Sequence, residues 1–162
     1  MLGLFNKKFE KNKIKLDLVV NYILYLNNED NFFYKKTYLN NLKLQKILYF
    51  LDCSYICHYN KSILECPFEA WLYGPCIPSL YYKFRCYGLF DIPESECDEK
   101  LIYLLSIEEK EFIKVVWDSL KYSSSFDLVS ISQLEGGPWA KVYREGETNL
   151  ILTEDIISYF GF

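Results

Sequence analysis

Apolar residues recur along this chain at helical spacing, in blocks separated by short polar or proline-bearing breaks. Val19, Tyr22, Ile23 and Leu26 follow the i, i+3, i+4, i+7 rule behind Asp17. This predicts a helix capped by Asp17 and stopped by Asn27-Asn28-Glu29-Asp30-Asn31, whose short polar side chains compete for backbone hydrogen bonds. Leu44, Ile47, Leu48, Leu51 and Tyr55 form the longest stripe, widened by Leu42 and Phe50, and Asn40 or Asn41 can cap it. This second helix is expected at the centre of the core. Lys43, Gln45 and Lys46 fall off the stripe and read as a solvated face.

Beyond His58 the periodicity breaks. Tyr59-Asn60-Lys61 reads as a turn, and Pro67 interrupts residues 63–68. Residues 69–73 fit an extended segment or a single helical turn. Gly74-Pro75 then predicts a turn, because the proline fixes its own φ and pushes Gly74 away from helix. Trp71 and Tyr73 are thereby held beside a rigid corner. Pro78 suits the first turn of a helix carrying Leu80, Phe84 and Tyr87, with Gly88 as its stop. Residues 91–100 read as a solvated acidic loop, since they lack the spacing and glycine of a calcium loop. Residues 101–105 read as a short strand, with 149–152 as its pairing partner.

Ser106 and Glu109 have capping-box spacing ahead of Ile113, Val116, Trp117 and Leu120. Ser123-Ser124-Ser125 breaks the chain and caps a helix carrying Leu128, Val129 and Ile131. Gly136-Gly137-Pro138 turns into Trp139, Val142 and Tyr143. Thr153 is expected to cap a last helix that buries Ile156, Ile157 and Phe160. The expected fold is mainly α: a compact single-domain helical bundle with a small two-stranded β element. It spans residues 16–162 behind a lysine-rich, mobile segment 1–15.

Composition adds few positive signals. A chain of 162 residues suits one domain and buries roughly 70% of its unfolded surface. Fifteen Tyr and twelve Phe are many; codon bias in an AT-rich genome explains such usage, and so does a partner surface, since interface cores are rich in aromatics. Net charge −4 lacks the basic footprint of a nucleic-acid binder, leaving Lys7 to Lys15 as one local phosphate contact. No secretory apolar region and no membrane-length run is present, which points to a cytoplasmic protein with reduced thiols. Cys53, Cys57 and His58 suggest zinc, but there is no CxxC pair, and both cysteines fall inside a strong helical pattern. Adjacent Cys57 and His58 point about 100° apart on a helix, so they form no dyad. No catalytic or phosphate-binding motif appears. No enzyme activity, metal or cofactor is expected.

Three segments stand in a telling order: Leu42-Lys43-Leu44-Gln45-Lys46-Ile47-Leu48-Tyr49-Phe50, then Glu69-Ala70-Trp71-Leu72-Tyr73-Gly74-Pro75, then Gly137-Pro138-Trp139. Together they resemble the signature of the Panacea domain, the SocA-like antitoxin family, whose members read roughly KLQKLLYF, EAWxYGPV and a late Pro-Trp pair. The resemblance implies a protein that neutralises a cognate toxin by direct contact, in a toxin–antitoxin or phage-related locus. One branch of the family also acts as an adaptor delivering the toxin to an ATP-dependent protease, which stands as the alternative. The implied partner-binding residues are Lys43, Gln45 and Lys46; Glu69, Trp71, Tyr73, Gly74 and Pro75; and Pro138 and Trp139. Rings held by proline-bearing turns lose little entropy on binding. Two departures stand out. The family's Thr-His pair before Pro-Trp is absent from residues 131–137, and Cys76 replaces the usual Val after Gly-Pro.

Overall fold

The computed structural model describes residues 13–161, so the expectations for residues 1–12 lie outside it. Ile14 already belongs to the folded body. Its N–H donates to the Ile63 carbonyl at 2.7 Å, it pairs with Leu64, and its side chain is buried. Seven α-helices follow among the described residues: α1 (Leu16–Phe33), α2 (Asn41–Tyr59), α3 (Pro78–Phe84), α4 (Ile107–Leu120), α5 (Ser125–Ser132), α6 (Pro138–Val142) and α7 (Thr153–Phe160). Between α2 and α3 lies an antiparallel hairpin of β1 (Glu69–Trp71) and β2 (Gly74–Cys76). The architecture is the mainly α one expected.

Helix α1 runs through the polar cluster that was expected to stop it, because tertiary partners take up those side chains. Asn27 Oδ1 accepts the Thr37 hydroxyl at 2.8 Å, and Asp30 accepts the Trp117 indole N–H at 2.7 Å. Lys121 Nζ also reaches Asp30, at 3.2 Å. Bonded in this way, the cluster no longer competes with the helix backbone. At the other end, Lys15 holds the N-cap position, and Asp17 sits in the first turn, where the helix dipole favours a carboxylate.

Helix α2 is the hub: α3, α4, α5, α7 and β2 all pack on it. Asn40 Oδ1 caps it by accepting the Lys43 N–H at 2.9 Å, and Asn60 ends it in the left-handed region at φ 55°. A helix surrounded in this way has no solvated face. Lys43, Gln45 and Lys46, expected to face water, are 3%, 2% and 1% exposed.

Residues 101–105 form no strand. They belong largely to a 3-10 segment, Glu99–Leu104, held against α1. Asn21 fixes its start by donating to the Asp98 carbonyl at 2.6 Å and accepting the Asp98 N–H at 2.7 Å. Residues 149–151 pair instead with the β1 side of the hairpin, through Ala70 N–H to the Asn149 carbonyl and Ile151 N–H to the Phe68 carbonyl. The Ser106–Glu109 capping box forms as expected, and Ser124 with Asp127 makes a second at α5. Thr153 is the first residue of α7 rather than its cap; Leu152 takes that place without a side-chain bond. Among the described residues, no helix is long and apolar enough to cross a membrane.

These contacts separate a core clamp from a half-buried cap. Asp30→Ala leaves the buried Trp117 N–H unpaired and is expected to lower stability by roughly 2–3 kcal/mol in urea denaturation. Ser106→Ala removes one cap and should cost about 1 kcal/mol. Equal losses would count against the clamp.

Candidate functional site

The polar residues of α2 face the backs of neighbouring segments and bond to their backbones. Lys46 Nζ donates to the Pro75 carbonyl at 2.6 Å. Gln45 binds Ile77 twice, accepting its N–H at 2.8 Å and donating to its carbonyl at 3.3 Å. The middle of β2 and the residue that follows it are thus tied to the hub. Lys43 turns elsewhere and donates to the Lys121 carbonyl at 2.5 Å. Burial pulls the Lys46 ammonium down to about 7, and burial pushes the neighbouring Cys76 thiol up to about 12.

Gly74 is required where it stands. Its φ is +95°, and an added Cβ would lie 2.6 Å from Ser132 Oγ and 2.9 Å from Lys46 Cε. The close fit lets Lys46 pass under the hairpin to Pro75. The chain reverses at Leu72–Tyr73, one step earlier than expected, and Gly74-Pro75 starts the return strand. Gln133 Nε2 holds the reversal by donating to the Leu72 carbonyl at 2.8 Å.

The indoles complete the frame. Trp139 Nε1 donates to the Trp71 carbonyl at 2.8 Å, and Trp71 Nε1 donates to Glu69 Oε2 at 2.7 Å. Trp71 meets the Tyr81 ring edge-on at 5.1 Å, and Trp139 stacks on Tyr143 at 4.4 Å. Both tryptophans are half-buried, while Gly74, Pro75 and Pro138 are buried. What reaches solvent is the tip, Leu72 at 63% and Tyr73 at 57% exposure, with Tyr82 beside it.

The three sequence segments therefore converge on one hairpin. Of the ten candidate residues, Lys43 stands apart, Lys46 and Gln45 brace from below, and Trp139 braces from the side. Leu72 and Gln133 were missed. Leu72 occupies the unspecified position of the motif, and Gln133 lies in the stretch lacking the family's histidine, so neither carried a signal. Ser132 and Gln133 show how that stretch is used here: one packs under Gly74, the other ties the tip.

Burial raises the Cys53 and Cys57 thiols, which disfavours thiolate, and His58 Nδ1 is 3.0 Å from the Ser54 carbonyl. Among the described residues, no group of three His, Cys, Asp or Glu side chains is placed to hold a metal.

Fold and site together define a small helical domain that braces an aromatic hairpin from within. Residues 44–140 match the family described as antitoxin SocA-like, Panacea domain, and the chain belongs to that family. It is 29% identical over 120 residues to antitoxin SocA of Caulobacter vibrioides (strain NA1000 / CB15N), a match covering 69% of this chain and 64% of SocA. The matched stretch thus spans less than two thirds of that relative. No solved structure gives a significant match.

The brace has a measurable pH signature. The unfolded chain holds the Lys46 proton up to its ordinary value near 10.5, whereas the folded chain releases it near 7. Between these values the unfolded state binds more protons, so this group adds stability as pH rises, by up to about 1.4 kcal/mol per pH unit. The raised cysteines act in the opposite sense at higher pH. The wild-type minus Lys46→Met difference in urea stability, followed from pH 6.5 to 8.5, isolates the lysine and should climb. A flat difference would deny Lys46 its depressed value.

Proposed function

We propose that this protein is an antitoxin that neutralises a cognate toxin by direct contact, and that the contact is centred on the hairpin tip. The observation that supports this most is convergence: all three motif segments build one hairpin and leave Leu72 and Tyr73 exposed at its end. Exposed apolar side chains on a rigid support lose little freedom on binding, so their burial is converted efficiently into affinity. Trp71, Tyr81 and Tyr82 extend the tip into an aromatic surface through edge-on contacts.

On this reading the ten candidate residues divide by task. Tyr73 touches the toxin, with Trp71 at the margin. Gln45, Lys46, Gly74, Pro75, Pro138 and Trp139 position the hairpin, and Glu69 orients the Trp71 indole. Lys43 serves neither task.

Co-expression with the product of the adjacent reading frame tests the proposal. Wild type should restore growth to cells made sick by that product. Leu72→Asp with Tyr73→Ala should abolish rescue while the circular dichroism and melting temperature stay unchanged. Binding of the purified pair should weaken by about 2 kcal/mol for Tyr73→Ala alone, roughly a thirtyfold rise in Kd. Rescue retained by the tip variant would place the contact elsewhere. A harmless neighbour, or toxicity untouched by wild type, would remove the antitoxin reading.

A further inference from the structure

Away from the hairpin, a cleft separates the α1–α2 connection from the turn between α4 and α5, with a volume of about 570 Å3. Its charge is opposite to that of the chain. The net charge is −4, yet Lys35, Lys36, Lys43 and Lys121 line the cleft and no Asp or Glu does. Nearby carboxylates are engaged or set back. Asp30 and Asp118 hold Lys121, Asp127 is drawn into the Ser124 capping box, and Asp91 acts on Lys43 only from beyond ion-pair distance.

Lys43 is the unusual member. It is 3% exposed and lies among the cleft-lining residues, and its ammonium has one neutral acceptor, the Lys121 carbonyl. Among the described residues no carboxylate pairs with it. Burial lowers its proton affinity, the mark of a cation whose desolvation is not offset. A buried ammonium is normally paired, and an incompletely compensated one at a cleft is suited to an anion.

Aromatic rings supply the second half of the site. Lys35 Nζ lies 4.9 Å from the Tyr122 ring centre and Lys36 Nζ 5.0 Å from that of Tyr38, while Phe126 stands 57% exposed alongside. Ammonium groups set beside exposed rings are the combination that takes a phosphate and the planar base attached to it. The volume falls in the range of small-ligand clefts, roughly 300–1,000 Å3.

We infer that this cleft is a nucleotide site, with phosphate oxygens at Lys43, Lys35 and Lys36 and the base against Tyr122 and Phe126. The shared chemistry is a phosphate bearing an aromatic base, supplied by a free nucleotide or by one residue of a single strand. This goes beyond toxin contact and does not depend on it.

Calorimetric titration of the full-length protein at low salt tests the site with ATP, GTP, inorganic pyrophosphate, a short oligouridylate and polyglutamate. A free-nucleotide site binds ATP or GTP at least about tenfold tighter than pyrophosphate, and an oligonucleotide-only response assigns the source to a strand. In either case Lys35→Glu with Lys36→Glu, an exposed pair that leaves the core intact, should weaken binding by about tenfold or more. Tyr122→Ala should reduce nucleotide binding and leave pyrophosphate unchanged. No binding to nucleotide or strand, pyrophosphate matching the nucleotides, polyglutamate binding as tightly, or indifference to the lysine reversals would each overturn the inference.

Discussion

The rest of the structure depends on α2 being covered both on its apolar stripe and on the side that carries Lys43, Gln45 and Lys46. Such a helix cannot leave a polar side chain in water, and an unpaired polar group in the interior costs on the order of 1–3 kcal/mol. Lys46, Gln45 and Lys43 therefore have to find partners, and those within reach are backbone groups of neighbouring short segments. Pro75 and Ile77 belong to a three-residue strand and its exit. A hairpin this short is marginal alone. Its register is set by side chains reaching out of the hub, and the burial that penalises Lys46 also gives the hairpin its anchor.

That dependence also explains what could be read in the sequence. The Leu44–Tyr55 stripe located the hub, and the capping spacing of Ser106 and Glu109 located α4, because periodicity and caps are local. Lys43, Gln45 and Lys46 were misplaced because a stripe marks the most apolar face of a helix without stating how many faces are covered. The Asn27–Asn31 cluster failed as a stop for the same reason: Thr37, Trp117 and Lys121, between six and 91 residues away in sequence, decide its state. Residues 101–105 read as a strand from apolar content, yet the two-way bond between Asn21 and Asp98 fixes them as a 3-10 segment. The hairpin's members were legible through the family motif, whereas their division into braces and tip was not.

The braces share a physical style. Pro75, Pro138 and Gly74 restrict or shape the backbone, and three side-chain bonds to the hairpin end on main-chain carbonyls: Pro75 for Lys46, Trp71 for Trp139, Leu72 for Gln133. Bonds to carbonyls fix the path of the chain without constraining the side chains along it. Leu72 can then change identity while the Gln133 bond persists, because the accepting oxygen is common to every residue type.

This separation of frame from contact bears on how a family signature should be interpreted. Most signature residues here are buried or half-buried, and their geometry is satisfied internally. A signature of that kind reports that a hairpin is held at a given height and angle, and it is compatible with many partners. On the proposed reading, specificity falls to positions the signature leaves open, such as Leu72 at the tip, together with the rings of Tyr81 and Tyr82 beside Trp71. The aromatic richness of the chain fits this division: inside, Tyr49, Tyr55 and Trp117 fill volume, while outside, tyrosines offer apolar area and a hydroxyl on a side chain with few rotamers. A surface built that way can be re-tuned one residue at a time without disturbing Lys46 or its acceptor, so if the tip carries the proposed contact, partner choice can drift while the fold is held fixed from within.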